Sequence, residues 1–155
     1  MSSKLAAVLA LVLAVELASC ASHKSNTNQA AAAGPVAFTT QLDGQQETPS
    51  VVTSASGTGQ ITFDGASRTL MWDISYQGLS SRATAAHFHG PARPGAKAGV
   101  QVPLDPSPDT GRIQGQAQLT PEQADQLLAG QWYVNVHSER YPDGEIRGQV
   151  EPSSM

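Results

Sequence analysis

Along residues 36–150, apolar and polar side chains alternate in short runs, each bounded by Gly, Pro, Asn, Asp or Ser. That period of two is the mark of half-buried β-strands. Phe38 to Leu42, Gly57 to Phe63, Thr69 to Tyr76, Thr84 to His89, Val100 to Leu104, Arg112 to Leu119, Trp132 to His137 and Glu145 to Val150 all have this extended or alternating character. In the third run Leu70, Trp72 and Ile74 share one face and Met71, Asp73 and Ser75 the other, as in an antiparallel sheet with one side against a core. Asp64-Gly65 supplies a hairpin turn before it. One segment breaks the alternation: Thr120 is a good N-cap, Gln123 completes a capping box, Pro121 suits the first helical position and Gly130 is a natural stop. The pattern predicts an all-β fold, an antiparallel β-sandwich with one short helix in a connection.

The segment from Gly90 to Gly111 carries five prolines and should be irregular outside Val100 to Leu104, its loops lying beside the end of the His87 and His89 strand. Ahead of the domain, Lys4 is followed by an unbroken apolar run from Leu5 to Val15, and Leu17-Ala18-Ser19-Cys20 reads as a lipobox. Residues 1–19 are therefore expected to be a lipoprotein signal peptide, with Cys20 lipidated as the new N-terminus. The small, polar residues 20–35 describe a flexible tether; His23 within it is expected to be solvated. Residues 151–155 should be a frayed tail. Cys20 is the only cysteine, so the domain has no internal disulfide and any metal must be held by nitrogen and oxygen donors.

The candidate chemistry lies in histidines on strands. In Ala85-Ala86-His87-Phe88-His89, His87 and His89 point to one face while Ala86 and Phe88 point to the other; in Tyr133-Val134-Asn135-Val136-His137, the valines point inward and Tyr133, Asn135 and His137 outward. Two imidazoles from one strand and a third from another suit a mononuclear transition metal, and three protein ligands leave a coordination position open. Glu145 and Arg147 occupy one face of the last strand at i and i+2. Glu145, and less strongly Glu47, could ligate the metal or hydrogen-bond a ligand imidazole. An all-imidazole set favours copper, and an added carboxylate brings in iron. Arg140, Arg147 and Arg93 flank the histidine strands and could attract an anion.

Leu42-Asp43-Gly44-Gln45-Gln46-Glu47-Thr48-Pro49, Ala86-His87-Phe88-His89-Gly90-Pro91-Ala92, Leu128-Ala129-Gly130-Gln131-Trp132-Tyr133-Val134-Asn135-Val136-His137-Ser138 and Pro142-Asp143-Gly144-Glu145-Ile146-Arg147-Gly148-Gln149-Val150 together resemble the chordin-type, or CHRD, domain. The resemblance spans nearly the whole globular region and implies an exported module. The family takes its name from an extracellular antagonist of growth factors, and its bacterial members are mostly exported single domains. The His-x-His pair with a later strand histidine is also similar to the copper site of Cu/Zn superoxide dismutase, a Greek-key β-sandwich of immunoglobulin-like architecture. That likeness implies copper-binding roles for His87, His89 and His137, while the dismutase's zinc-loop histidines and its disulfide have no counterparts here.

Two functions follow as expectations. One is a superoxide dismutase-like oxidoreductase in which Arg147 and Arg140 guide superoxide or another small oxidant to copper or iron. The other is a non-catalytic envelope module that binds copper or another protein. Either is placed in the cell envelope, periplasm-facing or extracellular and lipid-anchored to a bacterial membrane, with a homo-oligomer left open. A net charge of −4 and the lack of a basic aromatic surface argue against nucleic acid. Ser138 beside His137 lacks a nucleophile elbow, and Ser56-Gly57-Thr58-Gly59 precedes a strand rather than a phosphate-binding helix.

Overall fold

The computed structural model describes residues 34–153. The lipobox, Cys20 and His23 lie outside them. The strands are β1 (Val36–Asp43), β2 (Ser56–Asp64), β3 (Thr69–Gln77), β4 (Ala83–His89), β5 (Val100–Leu104), β6 (Arg112–Gln118), β7 (Tyr133–Ser138), β8 (Ile146–Gln149) and β9 (Glu151–Pro152), with one helix, α1 (Pro121–Leu128), between β6 and β7. All pairings are antiparallel. The strands form one sheet in the order β5-β4-β7-β8-β1-β2-β3-β6, with β9 beside β1. Its two edges, β5 and β6, are consecutive in sequence and come near each other without pairing, so the sheet curls into a barrel-like sandwich.

Alternation sets the interior. Leu70 and Ile74 are fully buried and Trp72 nearly so, while Met71 on the opposite face is exposed. Trp72 of β3 meets Phe88 of β4 edge-on, with ring centroids 5.5 Å apart, and Trp132 lies 5.8 Å beyond Phe88. These contacts bridge the two walls, and aromatic pairs at such spacings add to the stabilisation from burial alone. The helix begins as its sequence predicts: Thr120 Oγ1 accepts from the Gln123 backbone N–H, and the Gln123 side chain accepts from the Thr120 N–H. Ala124 and Leu127 are its buried contacts.

Two departures bear on function. The expected tail does not fray at once: Glu151 and Pro152 pair with Thr39 and Phe38, and the Ser153 N–H donates to Ala37 O. The last long strand starts at Ile146 rather than Glu145, because the chain bends at Glu145 after Gly144, whose φ is +128°. No helix among the described residues is long and apolar enough to cross a membrane.

Candidate metal centre

The histidines are placed by register. In the β4–β7 pair His87 faces Asn135, His89 faces Tyr133 and His137 faces Ala85. Phe88, Ala86, Val134 and Val136 turn their side chains into the core, all fully buried, so the histidines emerge together on the opposite face. One ligand nitrogen from each of His87, His89 and His137 can be chosen so that all lie within 4.8 Å of one another, and no other group of three His, Cys, Asp or Glu side chains with that property is found among the described residues.

Backbone carbonyls orient two of the rings. His89 Nδ1 lies 3.0 Å from Ala98 O, and His137 Nδ1 lies 2.8 Å from Pro142 O. Each Nδ1 must carry the proton to donate, which leaves a lone pair on Nε2. His137 Nε2 then accepts from His87 Nδ1 at 3.1 Å, and His89 Nε2 is buried with no partner. A carbonyl behind the non-ligating nitrogen is the usual device for fixing a metal-binding tautomer. Burial, then the neighbouring His137, lowers the pKa of His87; burial also lowers that of His89, against the opposing pull of its bond to Ala98. Both rings are thereby biased toward the neutral form that binds metal.

Tyr133 stacks on His89 at 4.9 Å with the rings nearly parallel, and the Arg147 guanidinium sits 3.5 Å above the centre of the Tyr133 ring. The loop after β4 lies over this stack: the Ala98 N–H donates to the Tyr133 hydroxyl, and Arg147 Nη2 donates to Ala96 O at 2.8 Å. Tyr133 and Asn135 do face away from the core, yet both are buried beneath such loops.

A cavity of about 120 Å³ adjoins the centre, lined by Glu47, His89, Lys97, Ala98, Tyr133, Asn135, His137, Asp143 and Arg147. Of the arginines considered from sequence, Arg147 lines it; Arg140 and Arg93 are exposed and do not. Glu145 is not brought to the histidines. Its carboxylate accepts from Thr53 Oγ1, the Ser80 N–H, Ser80 Oγ and Ser138 Oγ, tying four chain segments together. Burial alone would raise its pKa, but these donors outweigh it and the net shift is downward. The carboxylates beside the centre are Glu47 and Asp143, of which Glu47 is bonded to Asn135. Asp43 accepts from the Gln45 and Gln46 N–H groups and turns the chain after β1, and Asn135 Nδ2 donates to Glu47 Oε1. Burial pushes Glu47 up to about 7, against Arg147, a Thr48 backbone hydrogen bond, Lys97 and Asn135. Asn135 stands on the outward face of β7, as alternation predicts, whereas Lys97 and Asp143 come from loops, whose closure over the sheet has no local signature in the sequence.

The CHRD domain profile matches residues 38–150. The chain belongs to the CHRD domain family. The match begins two residues into β1 and ends just before β9, so it covers the histidine strands and every residue around the cavity. Comparisons with curated proteins and with solved structures give no match.

Proposed function

We propose that His87, His89 and His137 hold one transition metal ion, copper or iron, and that this CHRD domain works outside the cytoplasm, anchored through Cys20, as a superoxide dismutase-like antioxidant. The observation that carries the reading is the donor set: three clustered imidazoles, two with carbonyl-fixed tautomers, and a buried His89 Nε2 lone pair without a partner. A one-electron metal would supply the redox chemistry. The chain's own residues hold the imidazoles, restrict the adjoining space and place the Arg147 cation beside it.

Metal handling without turnover is a second reading. Glu47 and Asp143 line the cavity with Lys97 and Arg147, so the field offered to an anion is mixed rather than wholly positive. One experiment separates the two: elemental analysis of the purified protein after reconstitution with copper or with iron, and superoxide consumption on the same samples. About one metal per chain with turnover supports the dismutase reading, and one metal per chain without turnover supports storage or delivery. His87→Ala, His89→Ala and His137→Ala should each lower metal content while leaving the β-sheet circular dichroism unchanged. A triple variant that keeps full metal content would remove the metal reading.

A further inference from the structure

The contact between His87 Nδ1 and His137 Nε2 at 3.1 Å is symmetrical in itself, since either ring nitrogen can carry the proton. Its direction decides whether His137 can serve as a ligand there. With the proton on His137 Nδ1, Nε2 keeps a lone pair; with the proton on Nε2, that nitrogen is spent on His87 and has none to offer a metal. Pro142 O, 2.8 Å from His137 Nδ1, breaks the tie. Pro142 is exposed, so its carbonyl stays against the ring only as far as the turn between β7 and β8 is held in place.

That turn is tied to the interior through Glu145, which is fully buried. Ser138 Oγ donates to Glu145 Oε2 at 2.6 Å and accepts the Tyr141 N–H at 3.2 Å. A hydroxyl that donates to a carboxylate is polarised into a better acceptor for its second partner, and Tyr141 is the residue joined to Pro142. Ser80 anchors the carboxylate through both its N–H and its hydroxyl, and Thr53 Oγ1 adds a bond to the other oxygen, Oε1. We propose that Glu145, without touching the metal centre, is a positioning residue: through Ser138 and Tyr141 it holds Pro142 O against His137 Nδ1 and so fixes the tautomer in which His137 binds an ion. The inference rests on the metal reading for its use, whereas the tautomer is a property of the metal-free chain.

The test is imidazole 15N NMR of the metal-free full chain at pH 8, above the ordinary histidine range, where each ring reports which nitrogen carries its proton. Wild-type His137 should be in the Nδ1–H form. Ser138→Ala, which removes the link between Glu145 and Tyr141, should turn it into a mixture of both forms, and Glu145→Ala should do the same. Thr53→Ala takes a hydroxyl from the same carboxylate but leaves the Ser80 anchor and the Ser138 link, so His137 should be unchanged. His89, held by Ala98 O, should keep its Nδ1–H form in every variant. If Glu145→Ala does not fold, Ser138→Ala and Thr53→Ala still decide. A His137 tautomer unmoved by Ser138→Ala, or moved as much by Thr53→Ala, would reduce Glu145 to a structural tie and overturn the proposal. Copper(II) affinity, read on the same proteins, should fall about 10–100-fold in Ser138→Ala and stay at the wild-type value in Thr53→Ala; an unchanged affinity in Ser138→Ala would overturn the positioning role. A wild type that takes up no metal would instead overturn the histidine reading, with the tautomer result standing on its own.

Discussion

At Glu47 burial works against charge. The folded chain holds its carboxyl at about 7, above the ordinary 4.5, chiefly by desolvation. A raised carboxyl pKa means that the folded state binds the proton more tightly than the unfolded state does. The contribution to stability is therefore fully present below pH 4.5 and is lost as pH rises through about 7. Glu47→Gln, which cannot ionise, should gain on the wild type across that window. Urea unfolding of both metal-free proteins at pH 4.5 and pH 8 would measure it, and a difference between them that stays constant with pH would contradict this account. The pair Glu47 and Glu145 shows what residue patterns carry. Strand alternation assigns His87, His89 and His137 to one face, and they are there. The same alternation carried through Glu145 would have put its carboxylate beside Arg147. It fails because the backbone at Gly144 leaves the extended region and turns that carboxylate toward Ser80, Thr53 and Ser138.

Among the elements, the loop between β7 and β8 is closely packed at Gly144. A Cβ on Gly144 would land on Asn135 Nδ2 and within 2.6 Å of Glu47 Oε1, at a backbone φ of +128°. Gly144→Ala should therefore cost about 1–3 kcal/mol and break the Asn135–Glu47 contact, read as a lower melting temperature and a displaced Asn135 side-chain amide signal. The helix offers a contrast. Thr120→Ala removes one cap bond and should cost about 1 kcal/mol while metal uptake stays unchanged, because α1 contributes nothing to the cavity lining. The cap could be read locally, from Thr120, Pro121 and Gln123. Only the cap's consequence was legible, since the crowding around Gly144 comes from Glu47, far away in the chain.

For the whole molecule, strand existence was written in the alternation, whereas strand order was not, because pairing β8 with β1 and β4 with β7 joins segments distant in sequence. β9 escaped for a different reason: proline is a poor strand former, but in a two-residue strand that pairs with β1 the missing N–H is tolerated. Ending the chain after Val150 would remove the Ser153 to Ala37 bond and the short pairing with Phe38 and Thr39. It should lower stability by about 1–2 kcal/mol, measured by urea unfolding, without displacing the histidines.

The strand that carries His87 and His89 lies second from the edge, flanked outside only by the five-residue β5, in which Pro103 stands opposite His87. Sheets open from their margins, so local fluctuations that leave the core closed reach such a strand early. Proline at the rim also blunts strand addition by another chain. On the proposed metal reading, loading and unloading of an ion would draw on the breathing of one short rim strand, with the Trp72, Phe88 and Trp132 cluster still packed.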